Sequence, residues 1–289
     1  MTASQPTVLI AGATGYLGRH LVQAYGDAGY RVRALARSPE KLSQAGLFID
    51  DVFAAEATKP ETLKGCCDGV DLVVSALGIT TQKDGLTYDE VDYQANRNIL
   101  DEAIRAGVGR FAYIHVLHAD HMQDIAMVRA KSKFAAELEA APVASTILCP
   151  SGFYSDLVEF VEMAKRGRVY LVGDGKSRMA PIHGADMAAV CVEATRQGLS
   201  RLNVGGPDTY TQNEIADLAF RALNRPRHIS HVSPKLASSV VNLMRIMGMR
   251  SVAEPASFFL RASQINMTAP AYGTVSLDDQ FREHASIIN

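Results

Sequence analysis

A chain of 289 residues, 47% apolar and 21% charged, has ordinary globular composition and is long enough to bury a large core without disulfides or a structural metal. Its formal net charge of −2 argues against a nucleic acid as partner, because such binders carry a basic excess. The four cysteines, Cys66, Cys67, Cys149 and Cys191, have neither CxxC nor zinc-type spacing and read as reduced thiols of a cytoplasmic protein with no metal site.

In chain order, Thr7 to Ala11 reads as a buried strand, Leu17 to Ala28 as a helix and Arg31 to Ala36 as a second strand. A third strand is expected over Asp51 to Ala55, and a short helix opened by proline over Pro60 to Cys66. DLVVSA, from Asp71 to Ala76, is strand four. A long helix over Tyr88 to Ala106 leads to strand five, Arg110 to His115. An Ala-, Lys- and Glu-rich helix over Ala126 to Ala140 precedes strand six, Ala144 to Leu148. Strands separated by helices in this rhythm predict an α/β fold, a doubly wound parallel Rossmann sheet with helices on both faces.

After Pro150 the pattern loosens. A helix is expected over Tyr154 to Arg166, a strand over Val169 to Val172, a helix over Gly184 to Thr195 and a strand over Arg201 to Val204. Thr211 opens a further helix with a capping box, since Glu214 sits three residues on. Without repeats or linkers, the expected division is a coenzyme domain over 1–150 and a small C-terminal substrate lobe over 151–289, packed on the sheet rather than independent. The N-terminus lacks the basic region of a signal peptide, and no run approaches the roughly 20 apolar residues that cross a bilayer.

The strongest local signal is VLIAGATGYLGRH. Gly12, Gly15 and Gly18 follow the first strand and open a helix. Gly12 permits the turn, Gly15 lets backbone approach a pyrophosphate, and Gly18 allows close helix–strand packing. The free N–H groups of the loop and first turn, from Thr14 through Tyr16 and Leu17, then face the phosphates. The second strand ends RALARSPEK. An acidic residue there would favour NAD; Arg37 stands there instead, where it can grip a 2′-phosphate, with Lys41 one turn on. The expected cofactor is therefore NADP(H). Arg33 alternates with the strand core and is expected on a solvated face, and Asp71 as a turn residue. At the end of strand four, Ala76, Leu77 and Gly78 are expected beside the adenine-ribose and phosphates, where small residues let backbone come close, and Glu56 and Ala57 end strand three near the adenine.

TGYLG, LARSPEK and VDYQANRNILDEA, with FAYIHVL, VRAKSKFAAELEAA, TILCPSGFYSD and the weaker PIHGADMA and YTQNEIADLA, resemble the atypical and extended short-chain dehydrogenase/reductases, with a flavour of the NmrA-like branch. The resemblance spans nearly the whole chain. It implies a substrate lobe, a coenzyme across the strand ends, and a Tyr-x-x-x-Lys pair with a nearby Ser or Thr. In AMVRAKSKFAAELEAA the lysine falls on Lys131 and the tyrosine position on Met127; a second frame sets Lys133 opposite Arg129. Neither frame supplies a tyrosine, and His115 replaces the serine. Methionine cannot exchange a proton, so the resemblance leaves Lys131 to hold the nicotinamide ribose. Candidate donors are His115, which can titrate near neutrality, His118 or His121, and Tyr154 in SGFYSD, whose plainer role is a packing aromatic with a satisfied hydroxyl. His118 and His121 lack a carboxylate partner beyond Asp120 and Asp124 for a metal.

The expected function is an NADPH-dependent oxidoreductase acting on a small, largely apolar conjugated acceptor of enone or quinone type, which tolerates loss of the tyrosine. The alternatives are an NADP(H)-sensing regulatory protein and a sugar-nucleotide epimerase or dehydratase, whose chemistry needs the tyrosine most. The segment 234–262 carries an apolar stripe edged by Lys235 and Arg245; it fits a pocket cap, a subunit contact or a peripheral membrane contact. Oligomeric state is not encoded in any motif of the chain.

Overall fold

The computed structural model describes residues 5–43, 46–79 and 85–288, without the side chains of Lys41 and Ser43. Seven parallel strands form the central sheet. In chain order they are β1 (Thr7–Ala11), β2 (Arg31–Ala36), β3 (Asp51–Ala54), β4 (Leu72–Ser75), β5 (Arg110–Ile114), β6 (Ala144–Pro150) and, later, β9 (Arg201–Val204). Their spatial order is β3-β2-β1-β4-β5-β6-β9. The doubly wound Rossmann sheet is therefore present, and strand order reverses between β1 and β4. Ligands of such sheets bind in the crevice at that switch point.

Alternation along each strand feeds two cores. Val8, Ile10, Val74 and Ala112 face helices α1 (Tyr16–Asp27) and α6 (Gly184–Gln197). Leu9, Val73, Phe111 and Tyr113 face α3 (Asn96–Ala106) and α4 (Ala126–Ala140). Phe134 of α4 is fully buried against Tyr113, ring centroids 4.7 Å apart; a side chain of that kind contributes about 1.5–3 kcal/mol.

The second half of the chain re-enters the sheet. β9 pairs with β6, and α6 packs on α1 through Met187, Ala188 and Cys191. The remaining lobe has its own core, where α5 (Tyr154–Lys165), α7 (Gln212–Ala222) and α10 (Leu277–Ile288) meet. β7 (Val169–Val172) pairs with β11 (Ile229–Val232), and β8 (Arg178–Met179) with β10 (Tyr210–Thr211). The Thr211–Glu214 capping box is formed in both directions. The segment 234–262 is a helical hairpin, α8 (Pro234–Ile246) and α9 (Arg250–Ala262). No helix among the described residues is long and apolar enough to cross a membrane.

Among the elements that differ from expectation, three lie close to the sheet. Pro60–Thr62 is a single 3-10 turn. A further short helix, α2 (Pro39–Ser43), follows β2. The long helix opens with a π-helical stretch, Asp89–Ala95, before α3. Asn96 braces this stretch: its Nδ2 donates to the carbonyls of Val91 (3.3 Å) and Asp92 (3.0 Å). Its Oδ1 accepts from Ser75 Oγ (2.5 Å), tying this turn to the end of β4.

Candidate coenzyme and active site

Gly12 has φ +85°, and a Cβ there would lie 3.1 Å from the Ala76 carbonyl. The loop thus needs glycine both for its conformation and for its contact with β4. A Cβ on Gly18 would collide with the Gly12 carbonyl oxygen, because α1 leaves the sheet so closely. Gly15 is different: its backbone is ordinary (φ −76°) and its Cβ position meets only Gly12 O, at 3.3 Å. No side chain caps α1, so its first-turn N–H groups suit a phosphate, the fit expected of a dinucleotide.

Gly12, Thr14 and Leu77 line the crevice over the switch point. Two loop residues depart from expectation in their side chains. Leu17 is buried in the α1–α6 core, so only its backbone is available to a ligand. Tyr16 turns towards α6, where its hydroxyl accepts from Gly184 N–H (2.9 Å) and its ring meets Phe153 edge-on. The glycine loop is thereby anchored to the start of α6.

Arg37 lines the outer end of the same crevice, with Ala36 and Glu56. The Glu56 carboxyl is held below its usual range by Lys59, then Thr58, with Arg37 contributing. Lys41's side chain lies outside the described residues. Arg33 is not on a solvated face: it pairs with Asp51 (2.7 Å) and donates to the carbonyls of Cys66 and Asp68 (2.9 Å each). Asp71 accepts from Thr7 N–H (2.7 Å), aligning β4 beside β1.

Beside the ends of β4 and β5, Lys131 Nζ lies 3.2 Å from Asp92 Oδ1 and 3.4 Å from the Ile114 carbonyl. Lys133 instead covers the Tyr93 ring, 3.5 Å from its centroid, and Arg129 binds the Gln123 carbonyl. Lys131 is thus the lysine of α4 turned towards the strand ends. Asp92 is fully buried; its Oδ2 accepts from Ile79 N–H (3.3 Å), while Oδ1 has no aligned hydrogen bond among the described residues. Burial raises its pKa, against the pull of Lys131. Gly78 closes over the pair: a Cβ there would sit 2.6 Å from Asp92 Oδ1 and 3.0 Å from Lys131 Nζ. Ala76, just before, donates to Ala11 O (3.0 Å) and holds the β1–β4 ends together. Met127, one turn before Lys131, is buried with Tyr88, Leu117 and Met122.

The candidate donors fare differently from expectation. His115 is buried; its backbone N–H donates to Leu148 O (2.8 Å) and its ring stacks on Tyr113. Burial, then the charges of Lys131 and Arg201, push its pKa down to about 3. It is neutral at physiological pH rather than titrating near 7. Tyr154 is buried at the start of α5 and donates to the Val275 carbonyl (2.8 Å); burial drives its phenol pKa upward. Its hydroxyl joins α5 to the segment before α10. His118, Asp120 and His121 bring their ligand atoms within 4.8 Å of one another at a 3-10 turn, so Asp120 does stand with the two histidines. The cluster lies mostly in solvent.

Asp92 and Tyr88 were not singled out from the sequence. Asp92, Asn96 and Ile99 share a helix face at spacings of four and three, and polar residues on a buried stripe were the available signal. Burial, then Asp92 and Glu254, push the Tyr88 phenol up to about 12.

Residues 12–197 match the family model described as NAD(P)H-binding. Maize divinyl chlorophyllide a 8-vinyl-reductase is 30% identical over 262 residues, covering 83% of this chain and 65% of the relative. The chain thus spans just under two thirds of that protein. Ceramide reductase of Caulobacter vibrioides is 29% identical over 273 residues, covering 88% and 85%. An NADPH-dependent quinone oxidoreductase of Escherichia coli, solved with NADPH, superposes with a TM-score of 0.76 at 18% identity over 98% of this chain and 99% of that one. With a match over more than half its length and the glycine cradle at the switch point, the chain belongs to the NAD(P)H-binding family, Rossmann-type and NmrA-like.

Proposed function

We propose that this protein is an NADPH-dependent reductase of the short-chain dehydrogenase/reductase superfamily, delivering hydride to a small, largely apolar conjugated acceptor. The observation that carries the reading is the charge pair beside the strand ends: Lys131 is retained and paired with Asp92, while Met127 stands where the family's tyrosine would. Around it the wall is apolar, His115 is neutral and Tyr154 is bound to backbone. The names of the relatives, a vinyl reductase, a ceramide reductase and a quinone oxidoreductase, support a reductive role.

Bound NADPH would supply the hydride. Arg37 would hold the 2′-phosphate, the α1 N-terminus the pyrophosphate, and Lys131 the nicotinamide ribose, with Asp92 fixing its ammonium group. The lobe after Pro150 holds the acceptor and excludes water. General acid catalysis is worth about a hundred- to ten-thousandfold. Without a poised acid, a simple ketone reacts poorly, whereas an acceptor whose reduced form is a stabilised anion takes its proton afterwards from water.

The test is NADPH oxidation by purified protein against a panel of quinones, enones and simple ketones. Quinone or enone turnover above ketone turnover supports the reading. Tight NADPH binding without oxidation by any acceptor overturns it in favour of a coenzyme sensor.

A further inference from the structure

We propose that the α8–α9 hairpin docks on an anionic bilayer surface, with its outward apolar stripe in the headgroup region and the mouth of the candidate site held at the membrane. Of the fourteen exposed large apolar side chains among the described residues, eight belong to this hairpin, so the exposure is concentrated rather than scattered. Leu236, Val240, Leu243 and Met247 recur at spacings of four, three and four, which places them on one helix face. That face looks outward: Leu236 is 59% exposed, Met247 66% and neighbouring Ile246 84%. α8 itself buries only Val241. An amphipathic helix whose apolar side faces solvent has the arrangement opposite to that of a core-facing helix.

Charge selects the occupant. Residues 234–262 hold Lys235, Arg245, Arg250 and Arg261 against the single acid Glu254. The hairpin carries +3, within a chain whose total is −2, leaving −5 elsewhere. Glu254 is engaged by Arg245 at 2.9 Å, and the exposed side chains of Lys235 and Arg250 lie at either end of the stripe. An apolar stripe bordered by cations suits an anionic lipid surface, and the acidic remainder is repelled by the same surface. Docking is therefore oriented.

The hairpin also reaches the site. On the inner side of α9, Phe258 and Ala262 pack against the cluster that contains Met127 and Tyr88. An acceptor dissolved in the bilayer would enter beneath α9 without crossing water. That cargo rests on the proposed reductase function; the docking itself does not.

The experiment is co-sedimentation of the full chain with phosphatidylcholine vesicles with and without phosphatidylglycerol. The protein should pellet with the anionic vesicles only. Lys235→Ala/Arg250→Ala should weaken this by about fivefold per charge at low salt. Leu243→Glu/Met247→Glu should abolish it while leaving NADPH affinity unchanged, which shows that the variant is folded. Wild-type protein that pellets with neither vesicle overturns the proposal. So does binding that survives both double variants, or a dimer in sedimentation velocity that Leu243→Glu/Met247→Glu disperses while vesicles go unbound. No arm requires turnover, so failure here leaves the reductase reading intact, and failure to oxidise NADPH leaves the docking intact.

Discussion

The Lys131 ammonium group lies 3.2 Å from Oδ1 of the fully buried Asp92, with Gly78 closing over both. Asp92 comes from the π-helical stretch before α3, Lys131 from α4 and Gly78 from the end of β4. Three segments thus converge on one charge pair beside the ends of β4 and β5.

Breaking this pair from one side should cost stability. Losing one member of a fully buried pair costs about 3–5 kcal/mol, and the partial exposure of Lys131 reduces that to about 1–3 kcal/mol. Asp92→Leu and Lys131→Met, each alone, should lower the midpoint of urea unfolding accordingly. Asp92→Leu/Lys131→Met should recover much of the loss, since no unpaired charge is then left inside. If the double variant is as unstable as the two single losses added together, the groups are not coupled.

Gly15 and Gly18 should fail in different ways. Gly18→Ala sets a methyl group into the Gly12 carbonyl, so it should destabilise the fold by about 1–3 kcal/mol, the range for overpacking. Gly15→Val meets only a 3.3 Å contact in the free protein. It should fold and lose NADPH binding, because its side chain occupies the space of the pyrophosphate. Circular dichroism and fluorescence titration separate the two; a folded Gly15→Val that binds NADPH normally contradicts the phosphate-loop assignment.

Arg37→Ala should weaken NADPH binding by about ten- to a hundredfold, the worth of a charge-assisted hydrogen bond of about 1.5–3 kcal/mol. NADH, lacking the 2′-phosphate, should bind as before. Equal losses for both coenzymes would mean that Arg37 supports the crevice rather than the phosphate.

His115 offers a pH test. Its folded pKa of about 3 lies below the ordinary 6.5, so the unfolded chain takes up the proton first. Relative to neutral pH, the protein should lose stability as pH falls below 6.5, by up to about 1.4 kcal/mol per pH unit towards pH 3. His115→Gln should lack that share of the acid sensitivity. NADPH oxidation should show no inflection attributable to His115 between about pH 6 and 7. A wild-type inflection there that vanishes in His115→Gln would show that the imidazole is protonated during turnover.

Much of the coenzyme half was legible in the sequence. β1, β2 and α4 fall on their expected residues, because strand runs, glycine spacing and helix periodicity are local properties of the chain. The place of Arg37 just after β2 and of Met127 one turn before Lys131 are likewise matters of position along one or two elements. The sequence alone also locates an apolar stripe in 234–262. It does not say which way the stripe faces, and Pro255 inside α9 hides the second helix of the hairpin from a local reading. Burial and pairing were decided only by the tertiary structure. Arg33 looked solvated until β3 and the Cys66–Asp68 turn closed on it, and the choice between donor and packing aromatic for Tyr154 waited on the segment before α10, which supplies the Val275 carbonyl. His115 and Asp92 depend in the same way on neighbours distant in the chain. The physical reason is that an ionisation state is set by how much water is removed from a group and which charges replace it. Those quantities exist only once remote segments have packed together.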